Sequence, residues 1–289
     1  MSLIVNGANV ATGMSPIVEA GLYADASFID GVSFSSKYSV GNAGQIQVEK
    51  YDSLGGVAPS TPGADFVNRD YTNEAIDINL NNSFKDSVKV PLYASESIPG
   101  DTLMNKTLEV TQHVGTGRQQ SALAALVGQG TTSDVTTAVT SSNVKSLILA
   151  EKAAIRKKHG NPQVVMCSVD TYTAILDSAG AAFTPMFNDD VVRTGHIGMW
   201  LGMWFIECNL LDGATATYSY LNDSSVATTV DTSKTDFIVY DYNAFSLIDR
   251  LTALRTKDSE KFIGSLVQEE IDCGFKVTNA DLVRVKKSA

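Results

Sequence analysis

Apolar and polar positions alternate with two different periods along this 289-residue chain, and each change of period marks an element. Residues 161–211 carry the clearest pattern. Val164–Cys167 is a continuous apolar run following Pro162, which predicts a buried strand. Ser168 or Asp170 can cap the helix that follows; Tyr172, Ile175 and Leu176 share its apolar face, and it stops near Gly180. A polar turn at 188–190 and the sequence Gly195-His196-Ile197-Gly198 lead into a second apolar stretch, 199–208. That stretch reads as one long strand, with Trp200 and Trp204 on the same face by parity. Strand, helix, glycine-rich turn and strand predict an α/β unit.

The other segments differ in kind. Residues 1–44 scatter Gly7, Gly13, Gly21, Gly31, Gly41 and Gly44 among too few periodic positions to build a core. Val18, Leu22, Tyr23, Phe28, Ile29, Val32 and Phe34 are nevertheless too apolar for a free tail, so this segment reads as a strap or an arm. Residues 45–50 and 75–80 alternate strictly and predict a β-hairpin, with a polar tip at 52–73 containing Gly55, Gly56, Pro59, Pro62 and Gly63. A two-stranded ribbon is marginal in water, so it needs a surface to lie on. Phe84–Val90 returns the chain to its body.

Pro99-Gly100-Asp101 then opens a long helix, with Leu103, Val110, Val114, Leu123, Leu126 and Val127 at helical spacing. Gly115 and Gly117 each weaken it by about 1 kcal/mol relative to alanine, so a bend is expected there. Gly128 and Gly130 end it, and 131–140 reads as a polar linker. A second helix follows residues 141–143, with Val144, Leu147, Ile148 and Ile155 on one face. Arg156, Lys157 and Lys158 in its last turn complement the negative helix end. Residues 214–230 read as a hairpin or loop and 236–241 as a buried strand. Residues 245–251 and 254–257 lead on to 259–262, and alternation in 265–285 predicts strands that rejoin the 84–94 region. The chain thus leaves one domain near residue 130 and returns near residue 250.

Composition narrows the chemistry. Apolar residues make up 44% and charged residues 19% of the chain, as in a folded protein, and no apolar run is long enough to span a bilayer. The first residues lack the basic flank and long apolar core of a signal peptide. A net charge of −10 argues against a general phosphate-binding surface, though an acidic wall could surround a polyanion without gripping it. Cys167, Cys208 and Cys273 lie in apolar strand contexts and read as buried thiols. His113, His159 and His196 have no partners at metal-ligand spacing. Gly195, Gly198 and Gly202 lack the Lys-Ser/Thr of a phosphate loop. The pairs Asp189-Asp190 and Glu269-Glu270 read as surface or intersubunit charges, because strand neighbours point to opposite faces. No catalytic, cofactor or metal site is expected.

The order VVMCSVDTYTAIL followed by VVRTGHIGMWLGMWFIECNLL resembles the axial domain of tailed-phage major capsid proteins of the Hong Kong 97 type. The resemblance extends more loosely over most of the chain. It implies an α+β fold with an N-terminal arm (1–44), an extended β-hairpin loop (45–83), a peripheral domain (84–130 and 250–289) with a spine helix at 101–128, and an axial domain (131–249). It also implies a non-enzymatic shell subunit that forms hexamers and pentamers. Such a subunit encloses double-stranded DNA in a virion and works with portal, scaffolding and decoration proteins, without membrane or cofactor. The contacts implied between subunits involve Tyr23, Phe28, Lys50, Tyr51, Phe66, Arg69, Tyr71, Glu74, Arg193, His196, Trp200 and Trp204. Some members of that family cross-link a loop lysine to a neighbour's asparagine. Lys50 and Asn279 are the residues of those types here, with no motif tying either to that chemistry. An encapsulin-type compartment, a tail or decoration component and an acidic α/β enzyme remain as alternatives.

Overall fold

The computed structural model describes residues 45–50, 74–91, 102–180, 198–211, 217–258 and 261–288. These residues form three α-helices and thirteen strands. The helices are α1 (Thr102–Gln129), α2 (Val144–Lys157) and α3 (Val169–Gly180).

A six-stranded sheet holds the region predicted as an α/β unit. Its order is β4 (Thr131–Thr132), β13 (Val283–Lys287), β10 (Thr235–Tyr240), β5 (Val164–Cys167), β7 (Met203–Glu207) and β6 (Met199–Trp200). Strand β5 is buried at all four positions because both of its faces are covered, which is why its sequence is continuously apolar. Val165 and Cys167 join Val144, Ile148 and Ile155 of α2 and Tyr172 and Ile175 of α3. Val164 and Met166 face the other way, into a core shared with Leu123, Leu126 and Val127 of α1. Helix α3 starts where the sequence predicts, and Ser168 is its cap: Ser168 Oγ accepts a hydrogen bond from Thr171 N at 3.2 Å.

The same core continues into a three-stranded antiparallel sheet of order β11 (Phe245–Asp258), β12 (Gly264–Val277) and β3 (Asn82–Pro91). Helix α1 packs along β12 and β3, contributing Val110 to one seam and Leu123 to the central core. A separate hairpin, β8 (Thr217–Leu221) and β9 (Ala227–Asp231), packs Tyr220 into the core beside it.

Helix α1 spans Thr102–Gln129, and Phe84 of β3 packs closely against its Gly117. Two expectations change. Leu282–Val285 does not rejoin the 84–94 region: β13 pairs antiparallel with β10 and parallel with β4, and β12 alone pairs with β3. The 131–140 stretch is a pinned strap as much as a linker. Ser133 N donates to Val285 O at 2.7 Å, and the buried Lys286 Nζ donates to Thr137 O at 2.8 Å.

Candidate assembly surfaces

The first surface is the base of the ribbon made by β1 (Gln45–Lys50) and β2 (Glu74–Asn79), which pair antiparallel from Gln45↔Asn79 to Lys50↔Glu74. Among the described residues these two strands pair with no other sheet. Their foothold is one apolar contact, in which Ile78, with Ile46 and Leu80, packs on Ile248 of β11. Ile248 stands opposite Gly274 of β12, and a Cβ at Gly274 would lie 2.9 Å from Asn79 O. The ribbon can therefore rest on its own sheet only where the side chain is missing.

A polar clamp reinforces that foothold. At the corner between β2 and β3, Asn82 Nδ2 donates to Leu221 O at 3.3 Å, and Leu221 N donates back to Asn82 Oδ1 at 2.7 Å. Asn81 Nδ2 donates to Asn222 O and Asn79 Nδ2 to Asp223 O, while Lys276 ion-pairs with Asp223. Asn82 is buried, so Asn82→Ala strands the Leu221 amide and costs about 1–3 kcal/mol. Thermal melting reads that loss, and faster hydrogen exchange at Ile76 and Ile78 would show that the corner holds the ribbon.

The second surface is the β6 edge of the large sheet. Residues 199–208 are not one strand: Leu201 and Gly202 take φ of 53° and 72°, and β6 folds back on β7 in a two-residue hairpin. Two successive positive φ angles define the tight turn that suits strand twist. Lys152 Nζ of α2 donates to Leu201 O and fixes this turn; burial, with Arg156 nearby, lowers the Lys152 pKa. The hairpin also separates the two tryptophans, contrary to the parity reading. Trp200 pairs with Met203 and packs at 5.5 Å on Phe205, on the face that meets α2 and α3. Trp204 pairs with Met199, and these two are exposed by 43% and 49%. A large apolar pair left open at a sheet edge suits contact with another chain.

Of the other predicted contact residues, Lys50 and Glu74 are partners in the ribbon register. Tyr23, Phe28, Tyr51, Phe66, Arg69, Tyr71, Arg193 and His196 lie outside the described residues, as do the arm, the ribbon tip and the Gly195-His196 turn. Asn279 Oδ1 accepts from Asp281 N at 3.1 Å, a local capping role.

Several polar groups inside the described residues are tied into the packing. The three cysteines are buried and form no disulfide, and burial pushes the Cys167 and Cys273 thiols up, away from the reactive thiolate. Arg118 of α1 bonds Asp249 of β11 through Nε at 2.9 Å and through Nη2, Arg284 bonds Glu151 at 2.9 Å, and Lys286 lies 3.3 Å from Asp236. The pair Glu269-Glu270 splits. Glu270 ion-pairs with Lys85 at 2.8 Å near the surface, but Glu269 is buried, because β12 is the central strand and its alternate positions face α1. Among the described residues no group of three or more His, Cys, Asp or Glu could hold a metal ion, and no helix is long and apolar enough to cross a membrane.

No protein-family model matches the sequence, and no curated protein matches it. Solved structures do. A structure from Mycobacterium phage Che8 superposes with a TM-score of 0.61 at 14% identity, covering 85% of each chain. The capsid structure of the cyanophage P-SCSP1u gives 0.61 at 11% identity over 86% of this chain and 85% of that one. The virus-like particle from Pyrococcus furiosus gives 0.59 at 9% identity over 94% and 96%. This chain has the Hong Kong 97-type capsid fold. Sharing the Hong Kong 97-type fold at such identities rests on the order and packing of elements, and the hairpins and long helix described above supply that order.

Proposed function

We propose that this chain is the major capsid protein of a tailed-phage-type particle, a non-enzymatic subunit that closes hexamers and pentamers into an icosahedral shell around double-stranded DNA. The observation that carries this reading is the likeness to capsid structures over 85% or more of the chain. In this reading α1 is the spine of a peripheral domain built with the three-stranded sheet, and the six-stranded sheet is the core of an axial domain. The β6 edge, with Met199 and Trp204, joins neighbouring subunits around a ring. The arm and the ribbon tip reach out to adjacent copies. Single contacts can be weak, because each subunit makes several at once and avidity multiplies them. The net charge of −10 keeps the wall from adhering to packaged DNA. Portal, scaffolding and decoration proteins complete the virion.

A cellular compartment of the encapsulin kind is the second reading, favoured by the near-complete coverage of the Pyrococcus furiosus particle. Negative-stain imaging of the full chain expressed with its neighbouring genes tests both. Closed shells holding nuclease-protected DNA support the capsid reading, and shells holding protein cargo support the compartment. Small monodisperse particles contradict both.

A further inference from the structure

The seam between α1 and the three-stranded sheet is lined by Val90, Val110 and Val267, yet one row of it is acidic. Glu269 on β12 is 2% exposed; its Oε2 accepts from Thr111 Oγ1 of α1 at 2.6 Å, and its Oε1 is buried with no hydrogen-bond partner. Directly opposite in the β3–β12 register stands Asp86, so the two carboxyl groups share the face beneath the helix. Asp86 Oδ2 lies 3.2 Å from His113 Nδ1 on the same helix. The neighbour of Glu269 on β11, Leu254, brings no charge. Lys106 and Glu109 of α1 bond each other at the surface, and Asp249 on β11 is held by Arg118.

A buried carboxyl with one oxygen unpartnered and a second carboxylate across from it is favoured as the acid over the anion. We propose that this row is a pH-responsive seam. With its proton, Glu269 lets α1 sit on the sheet; once the proton leaves, Asp86 and Glu269 repel each other under the helix and loosen it. Burial pushes the Glu269 carboxyl up, the Thr111 hydrogen bond opposes this, and the Asp86 charge adds to burial. A carboxyl with a folded pKa above its unfolded value binds more protons when folded. Its contribution is fully present below the ordinary carboxylate range and is lost as pH rises through the raised value.

Hydrogen exchange of residues 107–114 in the full chain, corrected for intrinsic rates, reads the seam directly and does not depend on whether shells form. Protection in the native sequence should fall about tenfold from acid to neutral pH. Glu269→Gln, which keeps the shape and the acceptor for Thr111, should remove that dependence, and Asp86→Asn should reduce it. Native and Glu269→Gln proteins losing protection in parallel would overturn the proposal. Should Glu269→Gln not fold, an unchanged loss in Asp86→Asn would overturn it equally.

Discussion

Trp204→Asp is expected to leave the subunit folded and to stop it assembling. Trp204 is 43% exposed and meets Met199, itself 49% exposed, across the β6–β7 register, so no core is disturbed. Surface substitutions of this kind change folding stability by about 0.5 kcal/mol or less. A tryptophan buried at the centre of a contact is worth on the order of 2 kcal/mol or more, about thirtyfold in affinity. A ring repeats that loss at every joint, and a desolvated aspartate adds to it. The critical concentration for assembly should therefore rise by about nine hundredfold where two such joints act together. Trp200→Ala supplies the contrast, since that ring packs on Phe205 inside the sheet; it should lower the melting temperature first. Light scattering against concentration, beside thermal melting, measures both effects. Assembly of Trp204→Asp at native concentrations would remove the β6 edge from the interface.

The largest effect on the fold itself is expected from Arg118→Met. The Arg118 side chain is fully buried on α1 and holds Asp249 of β11, which is 7% exposed, by two hydrogen bonds. Removing the guanidinium leaves a carboxylate buried without its partner, at a cost of about 3–5 kcal/mol. That is a third or more of the stability of an ordinary domain. The double change Arg118→Met with Asp249→Leu should recover most of the loss, because paired apolar replacements remove the stranded charge. Denaturant unfolding of both variants decides the matter. A single-variant loss below about 1 kcal/mol would show that solvent reaches the pair.

Arg118 also shows where the sequence can be read and where it cannot. Its position continues the helical stripe of Val110 and Val114, so spacing alone places it on the buried face of α1. What spacing lacks is the partner, because Asp249 is 131 residues away and belongs to another sheet. The same limit explains Glu269. Strand parity says that Glu269 and Glu270 part company, but which one goes inward depends on β12 being central and on α1 lying over one face. Local signals were sufficient for β5, whose four apolar residues are buried on both sides, and they narrowed the α3 cap to Ser168 or Asp170, of which Ser168 serves. They failed at Leu201-Gly202, where an apolar leucine with positive φ sits in a hairpin turn and a strand pattern runs straight through it. They failed again at Leu282–Val285, because alternation marks a strand without naming its neighbour. The ribbon's foothold was invisible for another reason: it needs Gly274, which is ordinary in sequence and decisive only when Asn79 lies on it.

Sedimentation velocity of the purified full chain tests the shell reading most directly. The account predicts a boundary in the megadalton range, with ring-sized species beside it and little free subunit at working concentrations. A single boundary with the mass of one chain at every concentration, in the presence of its neighbouring gene products, would contradict it.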